Sequence, residues 1–200
     1  LNYFKPGLPH LRHLSFRVIQ DRDTQLAAFI TGVVDIYDVP HESWDKFAIQ
    51  SSQYTTLFVE QRGKGLALAV NSSRPPFNDV KVRKLMFRSL DPWKYLESQW
   101  NGYGSISLGI PVLERSWSLD KTELQPFFEL NDTDVNVASD SIDFDFLVAD
   151  YGDIYIDMAY EIVNDLTESG LNSRMVILNP EQYAEQVWKN RQFQAFFGPL

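Results

Sequence analysis

The residues with chemistry to offer are a few histidines and a run of aspartates. His10 and His13 stand in an irregular, Pro-containing stretch, and His41 stands apart. They are too few and too scattered among polar neighbours to gather a metal ion. Asp143, Asp145, Asp150, Asp153 and Asp157 crowd together. Their spacing puts Asp143 and Asp145 on one face of a strand, and Asp153 and Asp157 on one face of a helix. A divalent cation needs several converging oxygens, and helix capping accounts for Asp153 without one. The spacing also admits paired carboxylates of the kind glycosidases use. A hydrolase on an α/β frame therefore stands as an alternative. No G-x-S-x-G, P-loop or G-x-G-x-x-G spacing occurs.

Composition removes other chemistries. The absence of cysteine excludes disulfides, thiolate zinc sites and Cys nucleophiles. The net charge of −9 argues against a nucleic-acid partner, which needs clustered Lys and Arg. The densest basic group, Lys81, Arg83, Lys84 and Arg88, has the spacing of a solvated helix face. A hydrophobic content of 44% over 200 residues allows a substantial core. No apolar run reaches the roughly 18 residues of a membrane span. The opening Leu1-Asn2-Tyr3-Phe4 lacks the features of a signal peptide.

The elements that would position these residues are of mixed type. Leu14 to Gln20 alternates and reads as a strand. Asp21 or Asp23 caps a helix that stops at Gly32, and Val33 to Val39 reads as a second strand. A helix follows Pro40. Residues 54–61 and 65–71 read as a hairpin across Arg62-Gly63-Lys64. Two helices follow, one capped by Asn78 or Asp79 and one opening at Pro92; Gly102-Tyr103-Gly104 breaks the second. Residues 105–141 are irregular. From 143 on, the pattern is strand, helix to Gly170, strand, helix, strand. That order demands parallel pairing with helical crossovers.

The block PPFNDVKVRKLMFRSLDPWKYLESQWNGYG, with Asn71 before it, resembles the signature of the family 5 extracellular solute-binding proteins. The matching positions are Asn71, Pro75, Pro76, Phe77, Asp79, Val82, Arg83, Asp91 and Gly102 to Gly104. LAAFITGVVDIYDVP and EQYAEQVWKNRQFQAFFG resemble further segments of that family in the same order, with Gln194 where Asp is usual. The resemblance implies a mixed α+β, periplasmic-binding-protein-like fold of type II, in the cluster of peptide-binding receptors. It also implies a whole protein more than twice this length, so that the chain is a fragment with partial lobes. Residues 1–104 are expected in lobe one and 105–200 in lobe two, with the crossing in about 105–141. The family's usual helix ending in an Ala-Gly turn is not visible around residues 127–142.

What the resemblance implies functionally is capture, not catalysis. Such proteins close two lobes on a peptide or another small solute and deliver it to an ABC permease outside the cytoplasmic membrane. No cofactor, metal or nucleic acid is expected. A nickel chelate or an oligosaccharide are the alternative solutes, and a sensor domain with no ligand is a further one. The groove would be lined by Tyr37, Asp38 and Val39 at a strand end, by Gly65 and Ala67 at a strand start, and by Tyr103 near the crossing. Phe196 or Phe197 would offer an aromatic wall, Phe197 being the one chosen. Pro75-Pro76-Phe77 is expected to be structural, with Phe77 buried and Asn71 bonding local backbone.

Overall fold

The computed structural model describes residues 4–39, 54–57, 65–109, 115–128 and 142–200. They group into two compact units, residues 1–57 and 58–200. The expected division at 104 therefore falls inside the second unit. The expected helix after Pro40, the hairpin turn at 62–64 and most of the expected strand 54–61 lie outside the described residues, as do residues 129–141.

In the first unit, helix α1 spans Arg22–Ile30. Asp21 caps it, its carboxylate accepting from Thr24 N at 2.8 Å. That bond holds the Asp21 carboxyl below its usual range. The chain leaves α1 at Thr31, and Gly32 takes the left-handed conformation that a helix exit favours. The strands expected at Leu14–Gln20 and Val33–Val39 are not strands here: both stretches lack a ladder partner among the described residues. Alternation makes a segment able to pair, but it does not supply the neighbour. Phe16 and Val18 accordingly remain 86% and 93% exposed.

The second unit is a four-stranded sheet in the order β1-β4-β2-β3. Its strands are β1 (Leu66–Val70), β2 (Ile142–Ala149), β3 (Leu171–Leu178) and β4 (Ala195–Pro199). β2 pairs in parallel with both β3 and β4, and β1 runs antiparallel to β4. The parallel expectation for residues 142–200 is met. Helix α2 is Val80–Arg88 and α3 is Pro92–Trp100, capped by the side chains of Asp79 and Asp91. Helix α4, Lys121–Phe128, lies in the stretch read as irregular. Asp120 and Glu123 cap it reciprocally, each side chain accepting from the other's backbone N–H. Helix α5, Asp153–Glu168, carries β2 to β3, and α6, Pro180–Tyr183, continues as a π-helical turn through Lys189.

β2 is buried on both faces. Phe144, Phe146 and Val148 point to one side and pack with Met158, Ala159, Ile162 and Leu166 of α5, and with Val82, Met86 and Tyr95 of α2 and α3. Leu147 and Ala149 point to the other side, onto Tyr183, Val187, Leu178 and Phe196. The two-residue period of the strand produces these two cores.

Two polar seams tie helices and motif to this sheet. Asp165 of α5 accepts from Lys94 Nζ at 2.7 Å and from the buried Tyr95 hydroxyl at 2.6 Å. Glu161, one turn earlier, accepts from Ser98 and Gln99. The second seam is the Gln194 side chain. Its Oε1 accepts from Asp145 N at 2.7 Å, its Nε2 donates to Pro75 O at 2.8 Å, and its backbone carbonyl accepts from Asn71 N. Phe77 below it is fully buried, edge-on to Phe144 at 4.9 Å. Asn71 Oδ1 accepts from Ser73 N. The Pro-Pro-Phe block is thus structural, as its residue types imply.

Two outcomes follow from these seams. Gln194→Glu loses the donor to Pro75 O and sets a carboxylate against that carbonyl, and should cost about 1–2 kcal/mol in urea unfolding; an unchanged midpoint would remove the seam's importance. Asp165→Ala strands the buried Tyr95 hydroxyl and should cost about 1–3 kcal/mol. Burial, then Asp165, raises the Tyr95 pKa, and the bond to Asp165 raises that of Lys94. Groups with raised values contribute stability below their unfolded pKa and lose it as pH climbs through the folded value. On the alkaline side the α3–α5 seam should therefore weaken above about pH 10, and wild type should lose more stability there than Asp165→Ala.

Candidate functional site

In the second unit β2, β3 and β4 all end on the same edge. β3 lies on one side of β2 and β4 on the other, so the connections diverge between β2 and β4. Open α/β sheets bind ligands at such a point, outside the carboxyl ends of the strands. In this chain that edge carries Asp150-Tyr151-Gly152 after β2, the start of α5 and Gly198-Pro199-Leu200.

Each part has a local cause. Asp150 N donates to Leu178 O at 2.8 Å, which carries the ladder one residue past β2. Gly152 then turns the chain into α5 with φ 114°, a value closed to most residues. No side chain caps α5. Tyr151 is 44% exposed, and its ring lies 5.7 Å from that of Tyr155, one turn into α5. Burial, then the neighbouring Tyr151, raises the Tyr155 hydroxyl pKa, so it stays a neutral donor. Asp150 and Asp153 are exposed at this edge.

β1 starts at the same edge. Ala67 stands opposite Gly198 and Leu66 opposite Pro199, and Leu200 N donates to Gly65 O at 3.2 Å. The structure thus brings together Gly65, Ala67 and the end of β4, three parts of the expected groove. Phe197 sits in the same strand end, but its ring is 3% exposed in the core with Phe77, Phe144 and Phe146. It forms core rather than an aromatic wall, and Phe196 fills the opposite core in the same way. Both rings are committed because β4 is covered on both faces. Tyr103 is 60% exposed, just beyond the left-handed Asn101 and Gly102 that end α3. In the first unit, Tyr37 is half-buried and stacks on Phe29 at 5.8 Å, Asp38 is exposed, and Val39 is half-buried. Tyr151 and Tyr155 were not singled out from the sequence. Their signal was a Tyr-Gly-Asp turn between a buried strand and a long helix.

The five aspartates do not converge. Asp143 and Asp145 lie at the amino end of β2, and Asp150 and Asp153 at its carboxyl end, roughly 20 Å away along the strand. Asp145 is held by Arg174, which donates from Nε at 2.7 Å and Nη2 at 2.8 Å. That pair lines an open hollow of about 560 Å³ with Asp143, Asn172 and Gln194, at the edge opposite the carboxyl ends of the strands. No group of His, Asp and Glu able to hold a metal occurs among the described residues.

The comparisons with known proteins agree with this architecture. The oligopeptide-binding protein AppA of Bacillus subtilis, solved with a nonapeptide, superposes with a TM-score of 0.64 at 17% identity, over 92% of this chain and 40% of that one. The substrate-binding protein CtaP of Listeria monocytogenes superposes at 0.69 and 10% identity, over 92% and 39%. NikZ of Campylobacter jejuni, solved with Ni(L-His), gives 0.62 and 16%, over 90% and 38%. Heme-binding protein A of Haemophilus influenzae is 28% identical over 127 residues, 63% of this chain and 22% of that protein. The chain therefore spans well under half the length of these relatives. Residues 2–199 match the family described as bacterial extracellular solute-binding proteins, family 5 Middle; the chain belongs to that family, and its fold is a part of the periplasmic-binding-protein-like fold of the peptide receptors.

Proposed function

We propose that this chain is part of the extracytoplasmic solute-binding component of an ABC importer, which captures peptides by lobe closure and presents them to the permease. The family match along almost the whole chain carries this reading. Capture of this kind needs no nucleophile and no acid–base pair. It needs two surfaces that gain contacts when they approach, so that the solute stabilises the closed state by differential affinity.

The ligand surfaces follow. Tyr37, Asp38 and Val39 are the candidates of the first unit. Gly65, Ala67, the backbone at the end of β4, the Tyr151–Tyr155 pair and Tyr103 are those of the second, with Phe197 acting only through its place beside Gly198. Gly65 and Ala67 allow a ligand backbone to approach closely. The tyrosines offer apolar ring surface with a polar tip. Asp150 and Asp153 give the edge a negative potential that attracts an ammonium group. The name of the Haemophilus influenzae relative raises a second reading, since tyrosine is a known axial ligand of haem iron. Those same carboxylates would repel the propionates of haem, which favours the peptide.

The test is a thermal melt of the full-length receptor with a defined set of di- to nonapeptides, and separately with hemin, Ni(L-His) and an oligosaccharide. Free peptide at a hundred times its Kd should stabilise the protein by about 2.7 kcal/mol, and Tyr151→Ala should weaken that peptide's binding roughly fivefold. A shift with hemin, nickel chelate or sugar and none with peptides would reject the peptide reading. Turnover of a glycoside or ester, abolished by carboxylate substitution, would reject the receptor itself.

A further inference from the structure

The backbone of β4 is tightly covered at Gly198. Gly198 is buried in β4, and a Cβ placed on it would lie 2.6 Å from Tyr183 Oη, 2.8 Å from Tyr183 Cζ and 2.9 Å from Ala149 Cβ. These separations are well inside van der Waals contact, so no side chain fits while Tyr183 stays in place. Tyr183 is 1% exposed and is held edge-on by Phe196, with ring centroids 5.9 Å apart. Its hydroxyl donates to Pro199 O at 3.4 Å. Burial raises the pKa of that hydroxyl, with Tyr151 adding to the effect. A buried tyrosine hydroxyl needs a partner, and the last residues of β4 supply the one seen here.

This ring occupies a particular place. Ala149 is the last residue of β2, and Gly198 and Pro199 end β4, so the Tyr183 hydroxyl sits where the two strands diverge. On its other side β4 faces Ala67 and Leu66 of β1. The ring comes from α6, which a reciprocal cap between Asn179 and Gln182 anchors at its start. One side chain therefore reaches from the helix between β3 and β4 to the edge proposed to meet the solute.

We propose that Tyr183 is a positioning residue for the ligand edge. Its ring takes the volume a side chain at 198 would fill, and its hydroxyl holds Pro199, fixing the backbone line of Gly198–Leu200 beside Gly65–Ala67. This rests on the receptor reading given above. Tyr183 does not touch the solute. It decides where the backbone groups that meet the solute stand, in the way a supporting group holds a site within a fraction of an ångström of its working geometry.

The experiment uses the full-length receptor, with Tyr183→Phe and Gly198→Ala. Tyr183→Phe keeps the ring and loses only the hydroxyl. Amide exchange at Gly198 and Leu200 should speed up about three- to tenfold, with α5 and the amino half of β4 unchanged. Peptide Kd should weaken by a similar factor while the melting temperature without ligand stays close to that of wild type. Gly198→Ala should displace the ring and give a larger loss of both protection and affinity. Exchange unchanged at Gly198 and Leu200, or raised equally throughout the unit, overturns the positioning role. So does a Kd in Tyr183→Phe equal to that of a wild type that binds peptide. A wild type that binds none of the peptides rejects the peptide reading instead, and the exchange contrast alone then decides the role of Tyr183.

Discussion

A strand buried on both faces has no solvated side to sacrifice, and β2 is that strand. Phe144, Phe146 and Val148 alternate with Leu147 and Ala149, and each set needs its own cover. The cover is α5 on one side and α6 with its π-helical continuation on the other. Those two helices cannot both lie on one face, so their strands fall on opposite sides of β2. The reversal of strand order between β2 and β4 is the geometric residue of this arrangement. Its position follows from the burial of β2 before any ligand chemistry is considered.

How much of this could be read from the sequence depended on how local the cause was. Helix starts were readable because Asp21, Asp79, Asp91 and Asn179 act within one turn of themselves. β2, β3 and β4 were readable because their apolar runs alternate with a long amphipathic helix and a capped one. Leu14–Gln20 and Val33–Val39 carry similar local patterns and are not strands, because pairing is settled by a distant neighbour and not by the segment. Helix α4 was hidden by Pro126 inside it. Its reciprocal cap between Asp120 and Glu123 was the signal that outweighed the proline. The π-helical turn at Ala184–Lys189 has no sequence mark that separates it from the helix it extends.

The candidate site was legible to a smaller extent, for a physical reason. Residue type tells what a side chain can do, but the face it occupies depends on what covers the strand. Phe196 and Phe197 are equally aromatic, and both are spent in cores because β4 is covered twice. Tyr151 is no more aromatic than either, yet it remains exposed because it stands just past the end of β2. The aspartate run looked like one cluster in sequence, and the length of β2 separated it into two. One pair member, Asp145, is then engaged by Arg174 through both carboxylate oxygens.

The signature block and the proposed ligand edge stand at opposite ends of the same strands, so the residues that mark the family are not those proposed to meet the solute. Asn71, Pro75 and Phe77 are bound to Gln194 and Phe144 at the amino ends of β4 and β2. The residue at 194 shows how this chain holds that end. A carboxamide accepts from Asp145 N and donates to Pro75 O at once, whereas the Asp usual at this position has no donor to offer. The block therefore serves the fold, and its partner can change identity so long as the turn stays attached. The proposed ligand residues Asp150, Tyr151, Tyr155 and the end of β4 lie at the carboxyl edge, away from that attachment. A motif that secures the sheet at one end leaves the other end free to specialise, so recognition of the family names the device and leaves its cargo to be decided by a different set of residues.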